Sequence, residues 1–95
     1  MMTRVALLLL LLSSACAKEE LVFVRIQGQP GGALVYIDDR YIGRLEQLQA
    51  RGIKMPEGEY RLTIQEVGFF PHDQLLLVNK SKAPRVMVRL TPIPD

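Results

Sequence analysis

Residues 30–43 read Pro-Gly-Gly-Ala-Leu-Val-Tyr-Ile-Asp-Asp-Arg-Tyr-Ile-Gly, and this stretch decides the fold. Pro30, Gly31 and Gly32 break any regular element, because proline lacks an N–H and glycine offers no side chain to pack. Ala33, Val35 and Ile37 then alternate with Leu34, Tyr36 and Asp38. That period of two is the pattern of a strand with one buried face. Asp38-Asp39-Arg40 predicts a tight turn, since aspartate tolerates the left-handed region and bonds nearby backbone. Tyr41-Ile42-Gly43 predicts a short return strand.

Working outward, the same grammar repeats. In Leu21–Gln27, Val22, Val24 and Ile26 share one face, and Leu21, Phe23, Arg25 and Gln27 the other. In Glu59–Val67, Tyr60, Leu62 and Ile64 oppose Arg61, Thr63 and Gln65. Asp73–Asn79 holds four consecutive apolar residues, Leu75 to Val78. Such a run predicts burial on both faces or an edge strand that needs protection. In Arg85–Leu90, Val86, Val88 and Leu90 point in, and Arg85, Met87 and Arg89 point out. Between them, Leu45–Lys54 is rich in helix formers, with Leu45 and Leu48 three apart, and Gly52 stops it. It predicts a single helical turn or a loop. About six short strands, with turns every ~8–12 residues, predict an all-β fold: a small antiparallel β-sandwich or barrel. Connections this short exclude a parallel α/β sheet, which needs long crossovers.

Four motifs in order resemble the PEGA domain family. Pro30-Gly31-Gly32-Ala33 stands where that family has Pro-Glu-Gly-Ala. Val35-Tyr36-Ile37-Asp38 followed by Ile42-Gly43 is similar to its first hairpin, with Asp39 where the family carries a turn glycine. Pro56-Glu57-Gly58-Glu59-Tyr60 and Gly68-Phe69-Phe70-Pro71 match two further signatures. The resemblance covers residues 21–92 and leaves 93–95 as a tail. It implies a small prealbumin-like sandwich of the kind that decorates microbial envelope proteins. It brings no catalytic residues.

The N-terminus follows different rules. Arg4 precedes an unbroken apolar run, Val5 to Leu12, and then Ser13-Ser14-Ala15-Cys16-Ala17. Charged start, apolar run and small residues are the three elements of a cleaved signal peptide. A membrane-spanning helix needs ~20 apolar residues, far more than this run supplies. Leu12-Ser13-Ser14-Ala15-Cys16 resembles the lipobox of bacterial lipoproteins. That reading makes 1–15 the signal peptide, Cys16 the lipidated residue, and 16–20 the tether. Cleavage after Ala17 is the alternative, and it discards the cysteine. Ala17, rather than aspartate, after the cysteine favours the outer over the inner membrane in the lipoprotein sorting pattern.

Composition bounds the function. With one cysteine and one histidine in 95 residues, no intrachain disulfide or Cys/His zinc cluster can form. Removing residues 1–15 removes only Arg4, leaving 11 basic against 10 acidic side chains. Asp and Glu are scattered among the Lys and Arg residues, so no nucleic-acid partner is expected. Asp38-Asp39 reads as a turn rather than a calcium site, because strand neighbours point to opposite faces. His72-Asp73 reads as loop residues rather than a proton-transfer pair, and Gly31-Gly32 lacks the helix and Lys-Ser/Thr of a phosphate loop. The surface residues with binding chemistry are Arg61, Arg85 and Arg89, which would form a basic stripe if their strands shared a sheet, together with Tyr36 and Tyr41. The sequence therefore predicts a non-catalytic, cofactor-free, membrane-anchored envelope lipoprotein. It would serve as a structural or protein-interaction module beside an envelope protein or cell-wall partner. The alternative is a glycan- or peptidoglycan-binding module.

Overall fold

A computed structural model of the protein describes residues 20–94. The signal segment, Cys16 and Asp95 lie outside the described residues. Seven strands and one helix follow in the order β1 (Leu21–Gln29), β2 (Leu34–Ile37), β3 (Arg40–Arg44), α1 (Leu45–Arg51), β4 (Ile53–Pro56), β5 (Gly58–Gln65), β6 (His72–Val78) and β7 (Arg85–Arg89). They form two sheets, β4-β1-β7 and β3-β2-β5-β6. The inward residues of both sheets and of α1 form one apolar cluster. The all-β sandwich expected from the alternation is the fold observed.

Three features differ in detail from the sequence reading. First, β4 is an additional strand. Ile53 and Met55 turn inward and Lys54 outward, but Gly52 and Pro56 bound the segment so closely that it looks like a loop. Second, the helix-forming stretch makes a seven-residue α-helix, longer than one turn. Its Leu45 and Leu48 are buried, and its first N–H groups donate to loop carbonyls, Leu45 to Ala33 and Glu46 to Gly31, each at 2.8 Å. Third, β1 pairs with β7 in parallel, Arg25 opposite Arg85 through Gln29 opposite Arg89. All the other strand pairs are antiparallel.

The β1–β7 pair requires a glycine. Gly28 lies opposite Val88 with φ of 155°. A Cβ there would fall 1.7 Å from the Val88 carbonyl oxygen. On its other side β1 pairs with β4 only as far as Val24. Beyond that point α1 takes over the edge. Gln49 accepts from the Gly28 N–H through Oε1, and from Arg25 through its backbone carbonyl, both at 3.3 Å. The helix thus gives the Gly28 N–H a partner, and the Arg25 guanidinium an acceptor, along a stretch of β1 that β4 leaves open.

The β2–β3 hairpin turns on two residues, Asp38 and Asp39, with φ of 50° and 65°. Positive φ at both centres is the requirement of a type I′ turn. Asp38 is tied in further. Its Oδ1 accepts from the Arg61 N–H at 2.8 Å, and its own N–H donates to the Arg61 carbonyl at 2.9 Å. The apolar run Leu75–Val78 resolves as an edge strand: β6 buries Leu76 and Val78 and exposes Leu75 and Leu77.

Two outcomes follow from these backbone constraints. Gly28→Ala should destabilise the domain by about 3 kcal/mol, the upper range for forcing an atom into packed structure. An unchanged urea midpoint would show that β7 can retreat at no cost. Asp39→Gly relieves a left-handed residue and should add about 0.5–1 kcal/mol. Asp38→Gly loses a hydrogen bond worth about 1 kcal/mol and should gain nothing. Equal effects at the two positions would refute the distinction.

Candidate functional site

The outer face of the four-stranded sheet carries a continuous cross-strand row. Tyr41 of β3 sits opposite Tyr36 of β2, Tyr36 opposite Thr63 of β5, and Thr63 opposite Asp73 of β6. The two tyrosine rings meet edge to face with centroids 5.7 Å apart, a geometry that adds to their burial. Thr63 donates its hydroxyl to Asp73 Oδ1, and Arg61 Nε lies 3.4 Å from the same oxygen. The Thr63 hydrogen bond is the main reason the Asp73 carboxyl is held below its ordinary value. The charges of Arg61 and His72 act in the same direction, and desolvation opposes them. Leu75 and Leu77 flank the row, opposite Arg61 and Glu59.

The outer face of the three-stranded sheet is chemically different. β1, β4 and β7 contain no acidic residue at all. Their outward positions present Arg25 on β1, Lys54 on β4, and Arg85 and Arg89 on β7. Among these cations stand Leu21, Phe23 and Met87, each substantially exposed. Phe23 packs on Gly52, where a Cβ would fall 2.2 Å from its Cζ. The Arg25 guanidinium lies 5.5 Å from the Phe23 ring centroid. Between α1 and β7 the face dips into an open concavity of about 360 Å³ lined by Gln27, Gly28, Gln49, Met87 and Arg89.

The conditional basic stripe is therefore corrected. Arg61 lies on β5 and Arg85 and Arg89 on β7, strands of opposite sheets. Arg61 keeps company with Tyr36 and Tyr41, whereas Arg85 and Arg89 join Arg25 and Lys54. The sequence reading passed over Arg25, a single charge on its strand, and Lys54, which it assigned to a helical turn or loop. Only the order β4-β1-β7 adds them to one face. His72 is a strand residue rather than a loop residue. It begins β6 and its Nε2 lies 2.8 Å from Gln74 Oε1, while Asp73 turns to Thr63 and Arg61.

The lowered Asp73 carboxyl sets the sign of one pH effect. A group whose folded value is depressed stabilises the fold above its unfolded value. That contribution is lost as pH falls below the ordinary aspartate value of 3.8 and through the lowered one. Asp73→Asn should flatten this limb of an acid-unfolding curve and leave the neutral-pH shape alone. An unchanged acid limb would mean that the ion-paired row is not formed in solution.

The remaining motifs now have physical roles. The Tyr60 hydroxyl donates to the Pro56 carbonyl at 2.7 Å, closing the Pro-Glu-Gly-Glu-Tyr turn. In Gly-Phe-Phe-Pro, Phe70 donates its N–H to the Thr91 carbonyl at 2.9 Å and Gly68 accepts from Ile93 at 2.8 Å. The loop before β6 is thereby stitched to the segment after β7, and Phe69 packs on the core. Comparison with curated proteins gives no match. The family model for the PEGA domain matches residues 21–94, a span that holds every strand, the helix and both stitched turns, so the chain belongs to the PEGA domain family.

Proposed function

We propose that the protein is a non-catalytic, lipid-anchored lipoprotein of the bacterial cell envelope that acts as a structural or protein-interaction module. The observation that carries this reading is positional. One domain of an envelope-associated family starts at Leu21, five residues after the single cysteine. That cysteine closes an apolar run and a small-residue segment. Acyl chains on Cys16 would hold the domain at a membrane, since stable anchoring takes more than one chain. Ala17 favours the outer over the inner membrane. The partner would be an envelope protein or the cell wall, not nucleic acid. Among the described residues, no helix is long and apolar enough to cross a bilayer. The non-catalytic reading rests on His72 and Asp73 being turned to separate partners.

A second reading, a glycan- or peptidoglycan-binding module, is favoured by one observation. Tyr36, Tyr41 and Arg61 share an outer face, where aromatic surface stands beside a charged, hydrogen-bonding row. Cys16→Ser should release the protein from the membrane fraction and remove the acyl mass from the purified chain. Continued membrane retention with no mass difference would overturn the anchor. Retention on purified cell wall that is lost in Tyr36→Ala/Tyr41→Ala would favour the second reading. Co-purification with one envelope protein would favour the first.

A further inference from the structure

We propose that the outer face of β4-β1-β7 docks on an anionic lipid surface. Lys54, Arg25, Arg85 and Arg89 would meet headgroup phosphates, and Leu21, Phe23 and Met87 would reach the headgroup–acyl boundary. Three observations converge on this face.

The first is charge. The described chain mixes acids and bases almost evenly, yet these three strands carry four outward cations and no acid. Among the described residues, the ion pairs formed are Arg44–Glu46, Arg61–Asp73 and Lys80–Glu20. None engages the four cations. Glu46, which lines a second hollow together with Arg25, Gln27 and Gln49, is already paired with Arg44.

The second is a local conflict. Arg25 stands opposite Arg85 in the β1–β7 ladder. Like charges directly opposite each other destabilise a sheet. Arg25 is relieved by the Phe23 ring and the Gln49 carbonyl. Arg85 has no carboxylate partner among the described residues. On the Arg85 side the conflict has no compensating ion pair, and uncompensated violations of a local rule are expected at functional positions.

The third is the placement of the apolar side chains. Met87 is 72% exposed and stands between Arg85 and Arg89 on β7. Leu21 and Phe23 precede Arg25 at successive outward positions of β1. Protein interfaces gather apolar residues in a dry centre and move lysine to the rim. Here apolar tips and cations are interleaved over a sheet surface, the pattern of side chains that enter a headgroup layer while their neighbours hold phosphates. The position of Leu21 just after the tether adds to this picture and rests on the anchoring reading; the charge argument does not.

The test uses the full chain with Cys16→Ser, so lipidation does not enter its outcome. Binding is compared on phosphatidylcholine vesicles with and without roughly one third phosphatidylglycerol. The leader, with its Arg4, is the same in every variant, so the loss on removing cations from β7 reads the face. At about fivefold for each of the four cations, anionic lipid should raise affinity by roughly several hundredfold. Arg85→Gln/Arg89→Gln should therefore lower only the phosphatidylglycerol-dependent binding, by about 25-fold, and leave the urea midpoint unchanged or higher. An environment-sensitive dye at Met87→Cys should shift to the blue on anionic vesicles only, and the same dye at Leu75→Cys on the opposite sheet should not. Equal binding to both vesicles, equal shifts at the two dyes, or a fall in the midpoint of the double variant would overturn the proposal. Binding to soluble polyglutamate without binding to anionic vesicles would overturn it in favour of an acidic protein partner.

Discussion

The ladder between β1 and β7 is the constraint on which the rest of the sandwich depends. It joins the first strand to the last, with the whole domain held between them. Because β1 also pairs with β4 and is sealed by α1, it is the central strand of its sheet and delivers Val22, Val24 and Ile26 to the core. The approach of β7 is set by Gly28, where no side chain could fit against the Val88 carbonyl. Once the ends are fixed, the Phe69–Pro92 stitch and the hairpin β2–β3 have fixed surfaces to close on. A domain with no disulfide therefore obtains its closure from main-chain pairing of strands at opposite ends of its sequence.

The same topology separates the chemistry of the two outer faces. The four-stranded face is balanced: Arg61 and Asp73 are paired, Thr63 is satisfied, and two tyrosines pack edge to face. The three-stranded face carries four cations and no acid, with apolar side chains among them. A chain with a net charge of only +2 thus conceals a strongly polarised domain. Net charge alone cannot reveal this, because solubility depends on the sum of charges and steering on their arrangement.

Local pattern and long-range pairing were unequally legible. The inward sets of β2, β5 and β7 could be read from alternation alone, because one buried face forces a period of two. The Asp38-Asp39 turn was legible from the conformational tolerance of aspartate. β4 was not, since four residues between Gly52 and Pro56 carry too little pattern to separate a strand from a loop. The parallel partnership of Arg25 with Arg85 has no local signature whatever. Without it Arg25 and Lys54 cannot be added to Arg85 and Arg89, and Arg61 cannot be taken away from them. Arg25, Arg61, Arg85 and Arg89 were thus visible one by one as outward charges and Lys54 was not, while the grouping of all five was a property of strand order.

The parallel ladder also determines how the domain carries load. With β1 and β7 side by side and running the same way, the chain enters at one end of the sandwich and leaves at the other. A pull on residue 21 against residue 89 acts along both strands at once. The inter-strand hydrogen bonds then lie across the force and are strained together, in shear. In a hairpin pulled from its open end they would instead break in succession, each carrying the load alone. A domain held at its N-terminal side and tugged from its C-terminal side would resist as a clamp, with the Gly28–Val88 contact inside its grip.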